Sequence, residues 1–362
     1  MTSSPSRRGA WLRPGTALTA LALTVGLLAG TGTSAQAERA IPAAAASHGS
    51  TSASSTTTAA SARATAARAR DPRKTRALYR DPKSSAAKQG PAYAAIGRRP
   101  AARWFTNEAY PQRKVTAAVR GHLTRSTKAR RTATLVVYAI PHRDCGQYSS
   151  GGLANGKAYR RWVTAFARGI RAVRGSKPIV ILEPDAIAQF GQSSCASPRD
   201  RLSLLRFATR TLTRAGAWVY LDAGHSNYTP YDTRPAMLKS AGVAYARGIS
   251  TNVANFRTLA DEKAYATLMV RQLRALGVRG TRYVVDTSRN GAADPVAGDV
   301  INPTWARLGV RPRLVFQGAF DGTLWVKNPG ESDGNTNGGP AAGRWCDLLA
   351  DRLLGRGEGN NC

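Results

Sequence analysis

The sequence predicts an α/β fold with a mainly parallel sheet. Short runs of aliphatic and β-branched residues alternate along the chain with segments of helical periodicity, as in repeated βα units. These runs contain few polar residues, which is typical of strands buried on both faces. The candidate strands are Thr134–Ile140, Pro178–Pro184, Ala217–Ala223, Arg247–Val253, Arg282–Ser288 and Gly322–Asn328.

Amphipathic segments lie between the candidate strands and predict helices that pack against the sheet. One helical face carries Tyr159, Trp162, Val163, Phe166 and Ile170, and another carries Tyr265, Leu268, Met269 and Leu273. We interpret both stripes as core and not as ligand sites.

The first part of the chain has the composition of a targeting segment and a tail. Arg7 and Arg8 precede an apolar run over 17–29, and Ala35-Gln36-Ala37 supplies small residues for cleavage. This pattern predicts a signal peptide over 1–37 and a secreted, extracellular protein, because the apolar run is too short for a membrane span. Residues 38–72 are a basic Ala/Ser/Thr stretch with too few large apolar residues for a core. Residues 73–362 are long enough for one large domain.

The formal net charge of +32 predicts a strongly basic surface. The Lys and Arg residues are dispersed, few aromatic residues lie among them, and no nucleic-acid motif is present. We therefore expect nonspecific contact with anionic polymers or cell wall, and no specific nucleic-acid partner.

Four cysteines in a secreted chain favour disulfides over a metal site. None forms a Cys-x-x-Cys pair, and His48, His122, His142 and His225 lack zinc-ligand spacing. We expect no metal and no cofactor.

Acidic residues follow the ends of several candidate strands. The stretch Glu183-Pro184-Asp185 could merely cap the following helix, because carboxylates accept its first amide hydrogens. Asp144, Asp222, Asp286 and Asp333 follow other strands in the same way. Since the carboxyl ends of parallel strands in a barrel share one rim, a cleft lined by acids is the better explanation.

Several carboxylates without metal ligands suit glycoside hydrolysis. One protonated carboxyl group donates to the leaving oxygen, and a second group assists water or a covalent step. Crowding raises the pKa of one carboxyl group and keeps it protonated, and Asp144 beside Asp185 could do this.

Six segments together resemble glycoside hydrolase family 6, the cellulases that cut β-1,4-glucan with inversion. They are VVYAIPHRDCGQYSSGG, ILEPDAIAQF, YLDAGHSNY, GISTNVANF, VVDTSRNG and LWVKNPGESDG, in the family order, and the resemblance extends from about Ala77 to Leu354. It implies a distorted (β/α) barrel of about seven parallel strands with the active-site cleft at their carboxyl ends. It also implies a monomer that acts on β-glucan.

The resemblance assigns roles to individual residues. Asp185 would be the general acid, and Asp144 would raise its pKa and help to relay a proton from the attacking water, which Ser150 helps to hold. Tyr138 would press on the sugar ring at the cleavage point. Asp333 would be the base, with a water relay as the rival.

The remaining residues implied by the resemblance bind the sugar or orient the acids. They are Trp104, Asp222, His225, Tyr228, Asn255, Arg289, Trp325, Lys327 and Glu331. Tyr138 and Trp104 could instead be core aromatics, and Asp222 and Asp286 could be structural.

The chain departs from the family at two linked positions. Val300 and Ile301 stand where the family usually has Trp and Cys, and Asn335 replaces the usual partner cysteine. One sugar platform and one disulfide are therefore lost, and Trp305 nearby is a candidate to compensate. The resemblance pairs Cys145 with Cys195, which leaves Cys346 and Cys362 as a second pair.

The segment between Asp333 and Ala341 is only GNTNGGP, which is shorter than the tunnel-forming loop of exo-acting members. This predicts an open cleft and cleavage within the chain. Two alternatives stay open at this point: a non-catalytic glycan- or wall-binding protein on the same fold, and a hydrolase of another β-glucan.

Overall fold

The computed structural model describes residues 72–74, 77–190, 198–357 and 362. The predicted signal peptide, and all but the last residue of the predicted tail, lie outside these residues. Within them, no helix combines the length and the apolar character that a membrane crossing requires.

One eight-stranded sheet forms the centre of the described region, in the order β1-β2-β3-β4-β5-β6-β8-β7. Neighbouring strands from β1 to β6 pair in parallel, as do β6 and β8, whereas β7 pairs antiparallel with β8. The prediction of about seven parallel strands is thus confirmed. The strands are β1 (Arg103–Phe105), β2 (Thr134–Val137), β3 (Ile179–Leu182), β4 (Trp218–Asp222), β5 (Gly248–Thr251), β6 (Arg282–Asp286), β7 (Arg313–Gln317) and β8 (Phe320–Leu324).

All six candidate strands are present, although each is shorter than its apolar run. The predicted last strand began at Gly322, but β8 begins at Phe320 and ends at Leu324, so Trp325 to Asn328 follow it. The sequence did not indicate β1, which has three residues, or β7, which is partly exposed and irregular at Phe316.

Helices connect most of the parallel strands. The connecting helices are α2 (Gln112–Lys128), α3 (Gly156–Arg171), α4 (Pro198–Arg214), α5 (Arg234–Ser240) and α6 (Leu259–Ala275), while α1 (Ala94–Gly97) precedes β1 and α7 (Asp347–Leu354) follows β8. Side-chain caps begin two of them: Asn155 accepts from the amide of Ala158 in α3, and Thr258 accepts from that of Asp261 in α6.

The core lies on both faces of the sheet, which explains why the strands read as continuous apolar runs. Leu135 and Val137 of β2 pack towards the helices, whereas Val136 between them packs with residues of the opposite face. Both predicted aromatic stripes belong to the helix-side core, with Trp162 and Phe166 fully buried and Leu268 partly buried.

One cysteine or more of each predicted pair is described, and each of these cysteines is disulfide-bonded. Cys346, just before α7, is bonded to Cys362. Cys145 is also disulfide-bonded, while Cys195, its predicted partner, lies outside the described residues.

Candidate active site

A cavity of about 720 Å³ lies at the carboxyl ends of the parallel strands. Its wall is formed by segments that follow β1 to β5 and β8, together with the segment before β7, as expected for a site at the strand ends. The predicted site residues that line it are Trp104, Tyr138, Asp144, Ser150, Asp185, His225, Tyr228, Asn255, Lys327, Glu331 and Asp333.

Asp185 lies three residues beyond β3 and is partly exposed to the cavity. Its backbone is in the left-handed region (φ 66°), and its amide donates to the Oδ2 atom of Asp222 over 2.9 Å. Burial, followed by the negative charges of Asp222 and Asp144, raises the pKa of Asp185 well above its usual value. This carboxyl group therefore keeps its proton to a higher pH than an ordinary aspartate does.

Asp222, the last residue of β4, is buried and does not line the cavity. It accepts from the amides of Asp185 (2.9 Å) and Gly224 (3.2 Å), and burial raises its pKa to about 7. Of the two roles expected for Asp222, this placement favours orienting an acid over binding sugar, because its carboxyl group accepts from the backbone of Asp185.

Asp144 lines the cavity beyond β2 and is held by two hydrogen bonds. Its Oδ1 atom accepts from Nε2 of Gln189 (2.8 Å), and its Oδ2 atom accepts from the amide of Ser149 (2.7 Å). The amide of Gln189 donates to the carbonyl oxygen of Asp185. Gln189, which the sequence did not single out, thus connects the two candidate catalytic acids.

The loop that carries Asp144 returns to the sheet at Gly152. A Cβ atom there would lie 1.9 Å from the carbonyl oxygen of Ile140, and the φ angle is +96°, so only glycine fits. The buried guanidinium of Arg143 closes the loop by donating to the carbonyl oxygens of Ser149 (2.9 Å) and Ser150 (3.1 Å). The sequence predicted no role for Arg143, although this residue stands beside Asp144.

Tyr138 is held in the cavity wall by its neighbours. The Arg143 guanidinium lies 4.8 Å from the centre of the Tyr138 ring, and the Trp104 ring contacts it edge-on at 5.2 Å. Burial and the nearby acids raise the pKa of Tyr138 well above its usual value, so its hydroxyl stays neutral. Both rings are therefore rigid surfaces that a sugar can contact.

Asp333 is ionised and paired with two cations. Its Oδ2 atom lies 2.5 Å from a terminal nitrogen of Arg289, and its Oδ1 atom lies 2.9 Å from Nζ of Lys327. Burial acts to raise the pKa of Asp333, but these two positive charges lower it to about 2. Arg289 is buried and does not line the cavity, so of its two expected roles this position favours orienting an acid, Asp333, over contacting a sugar.

Glu183, two residues before Asp185, is a buried carboxyl group for which the sequence predicted no role in the site. It is 1% exposed and accepts from the amides of Ala139 (3.0 Å) and Ile140 (3.1 Å), just beyond β2. Burial raises its pKa to about 7. Its place at the same strand end as Asp185 was the signal that could have found it.

The segments that follow β4 and β5 contribute His225, Tyr228 and Asn255 to the cavity wall. The His225 and Tyr228 rings meet edge-on at 5.5 Å, and burial and nearby arginines lower the pKa of His225 to about 4. This histidine is therefore neutral at pH 7 and can accept as well as donate a hydrogen bond.

Trp305 also lines the cavity, beside the substituted segment. Its indole nitrogen donates to Oδ2 of Asp299 (2.8 Å), and its ring contacts Phe256 edge-on at 5.5 Å. Val300, which is 44% exposed, offers no flat surface. The Trp305 ring is thus fixed in the part of the wall where the family aromatic is missing.

The structure places two predicted sugar-binding residues of the segment after β8 differently. Trp325 is 3% exposed, packs with Tyr93 and Ile96, and does not line the cavity, so this placement does not support its predicted contact with substrate. Glu331 does line the cavity, and its carboxylate accepts from Oγ of Ser85 (2.8 Å) and Nδ2 of Asn328 (3.0 Å).

The described part of the chain contains no group of three or more His, Cys, Asp or Glu side chains arranged to hold a metal ion. The cavity combines a carboxyl group with a raised pKa (Asp185), an ionised carboxylate held by two cations (Asp333), and aromatic rings. This set suits acid-catalysed cleavage of a polar chain that stacks on rings.

The family model described as glycosyl hydrolases family 6 matches residues 60–356. Endoglucanase A of Cellulomonas fimi is 45% identical over 235 residues, which cover 65% of this chain and 49% of that protein, so the match spans about half of its length. Endoglucanase 1 of Streptomyces halstedii is 35% identical over 304 residues, covering 80% and 92% of the two chains.

A solved structure is similar over most of its length. It is the endoglucanase Cel6 of Mycobacterium tuberculosis in complex with methyl-cellobiosyl-4-deoxy-4-thio-β-D-cellobioside. The TM-score is 0.69 at 37% identity, and the match covers 77% of this chain and 96% of that one.

Proposed function

The chain belongs to glycosyl hydrolases family 6, and on that premise we propose that it cleaves β-1,4-glucosidic bonds within a β-glucan chain. The observation that carries this is Asp185, a carboxyl group with a raised pKa that faces a large cavity and is flanked by Asp144 and Asp222. Relatives named endoglucanase, and the cello-oligosaccharide analogue bound to the M. tuberculosis enzyme, support a glucan substrate.

The proposed reaction is a single displacement with inversion. The Asp185 carboxyl group donates its proton to the glycosidic oxygen as the bond from that oxygen to the anomeric carbon breaks. A water molecule attacks the anomeric carbon from the opposite face and gives up a proton. Tyr138, fixed by Arg143 and Trp104, contacts the sugar ring at the cleavage point.

The pKa of Asp333 bears on which group receives the proton from water. A carboxylate whose pKa is held at about 2 by Arg289 and Lys327 is a weak base at neutral pH. We therefore favour a relay in which Asp144 takes up the proton through water held near Ser150. Asp333 then neutralises the positive charges of Arg289 and Lys327.

Short loops around the cavity support cleavage within the chain. The segment 334–340 is held against Asn302, whose Nδ2 atom donates to the carbonyl oxygens of Gly334 (2.7 Å) and Thr336 (2.9 Å). The exposed ring of Tyr148 contacts Gly334, and this single contact joins two short loops without a long loop that covers the cleft. A glucan chain can then enter from the side.

We also propose that the protein is secreted. The predicted signal peptide and the bond between Cys346 and Cys362 support an oxidising compartment. A monomeric state stays a prediction.

The test is an incubation with carboxymethyl-cellulose, mixed-linkage β-glucan and cello-oligosaccharides, following viscosity and reducing ends. The unmodified chain is compared with Asp185→Asn and with Asp200→Asn, an exposed carboxylate outside the cavity. We expect viscosity to fall faster than reducing ends appear, with this activity lost only in Asp185→Asn.

Other outcomes separate the alternatives. Cleavage of mixed-linkage glucan alone would identify a hydrolase of another β-glucan. If the unmodified chain and both variants bind glucan and none of them cleaves it, a non-catalytic binding role replaces the proposed activity.

A further inference from the structure

The expectation that the basic residues are dispersed does not hold for one part of the described surface, where acidic residues are missing. Between Glu108 and Asp144, and again between Asp144 and Glu183, the chain contains no acidic residue. These two segments include α2 and α3. Their exposed cations are Arg113, Lys114, Arg120, Lys128, Arg130, Arg131, Lys157, Arg160, Arg161, Arg168, Arg171 and Arg174, here called the basic face.

The two helices of the basic face form one continuous surface. Gly169 of α3 lies so close to α2 that a Cβ atom would come within 2.7 Å of the Val119 side chain. The Oγ1 atom of Thr116 also donates to the carbonyl oxygen of Ala165 across the contact (2.8 Å). Helices packed this closely are about 8–10 Å apart, and 17 residues of α2 extend about 25 Å. The cations therefore lie in two adjacent rows and not as isolated charges.

No carboxylate neutralises these rows within the described chain. None of the cations of the basic face takes part in an ion pair there; Arg125 of α2, which is not counted among them, is the one that reaches Asp81. Many acids are unavailable because they are buried, including Glu183, Asp222 and Asp333. Accumulated like charge on one surface attracts polyanions more strongly than the same charge dispersed.

We propose that the basic face is a docking surface for a linear carboxylated polysaccharide, a polyuronate. Arginine predominates, and its planar guanidinium group pairs with carboxylates through two parallel hydrogen bonds. The length of the rows suits an extended polymer that carries a charge on each sugar. None of the cations lines the catalytic cavity, so polymer bound here leaves the cleft free.

The composition of the basic face disfavours two other polyanions. In the described region, none of the large exposed apolar side chains lies on α2 or α3. A protein that binds a membrane surface is normally anchored by such residues, and the bases of single-stranded nucleic acid normally stack on aromatic rings. A polymer of charged sugars needs neither.

The experiment measures binding of the purified full chain to polygalacturonate at about 0.15 M salt, where exposed charges interact over about 8 Å. One variant reverses three charges of the basic face (Arg161→Glu, Arg168→Glu, Arg171→Glu). The matched control reverses three exposed arginines on and just after α6 (Arg271→Glu, Arg274→Glu, Arg279→Glu). Net charge and residues 1–71 are the same in both variants.

We expect the first variant to bind at least about tenfold more weakly, and the control to bind nearly as the unmodified chain does. Equal loss in both variants would overturn the inference, because net charge alone would then explain binding. Tighter binding of anionic vesicles or duplex DNA than of polygalacturonate, lost in the same variant, would assign the surface to another partner. Hydrolysis of an uncharged cello-oligosaccharide, which tests the proposed function separately, should be unchanged in both.

A variant with Gln at the same three α3 positions distinguishes a loss of binding from a loss of folding. If the Glu variant melts early, the Gln variant must still show weakened binding at an unchanged melting temperature. Unchanged binding in a folded Gln variant would refute the docking surface.

Discussion

Replacing Glu183 by Gln should make the protein more stable at alkaline pH. The pKa of this carboxyl group rises from 4.5 to about 7 on folding, and the cause is burial, which outweighs the hydrogen bonds from the amides of Ala139 and Ile140. The folded state therefore binds the proton more tightly than the unfolded state does. It follows that stability falls as pH rises between about 4.5 and 7.

The size of the effect follows from the difference in pKa. About 2.5 units at 1.36 kcal/mol per unit correspond to about 3 kcal/mol of stability, present at pH 4.5 and lost by pH 8. Gln keeps a carbonyl oxygen that accepts from both amides and carries no charge at any pH. The Glu183→Gln variant should thus match the unmodified chain near pH 4.5 and exceed it by about 3 kcal/mol at pH 8.

The assay is denaturant unfolding of both proteins at the two pH values. Asp222 and Glu262 also have raised pKa values, but they are present in both proteins and cancel in the difference. Asp232→Asn, at an exposed carboxylate, is the control and should leave the difference between pH values unchanged. A Gln variant that is less stable at pH 8 would refute the reasoning, since the carboxylate would then be stabilising as an anion.

Three further changes test the site and the fold. Asp222→Asn keeps an oxygen for the amide of Asp185 but removes a negative charge that raises the pKa of Asp185. The alkaline limb of the kcat/KM profile should therefore move to lower pH, and an unmoved limb would contradict this. Trp305→Ala should raise KM for long cello-oligosaccharides by up to about tenfold and hardly affect short ones, with Trp305→Phe near normal; equal losses at every length would exclude a distal platform. Replacing Cys346 and Cys362 together by Ser should lower the free energy of unfolding by roughly 3 kcal/mol, and an unchanged denaturant midpoint would show that the bond adds nothing.

The strands that the sequence predicted share one property. Val136, Ile181 and Val284 lie in strands buried on both faces, so their neighbours along the chain are apolar as well and the runs are easy to recognise. The strands β1 and β7 lack this property because one has three residues and the other is partly exposed. They were found only in the sheet, through their pairing with β2 and β8.

The acids at the strand ends could be located from the sequence, but their roles could not be separated. Glu183 and Asp185 are two residues apart, and both have left-handed backbone (φ 49° and 66°). One carboxyl group is buried against the amides beyond β2, and the other faces the cavity. Local sequence does not encode which way each side chain points after such a turn.

The sequence by itself determined the α/β class, the parallel strands and the rim where the acids lie. Strands buried on both faces are continuous apolar runs, and the acids of the rim directly follow those runs in the sequence. Tertiary structure decided which of these residues meet. Trp325 lies between Leu324 and Val326, which pack with Val136 on the sheet face opposite the helices, but its own ring packs with Tyr93 and Ile96 and not in the cavity. Arg289 and Lys327 reach Asp333 from separate strand ends, and this meeting sets its pKa. Electrostatic coupling depends on distance in space, and the distance between residues far apart in sequence exists only once the chain has folded.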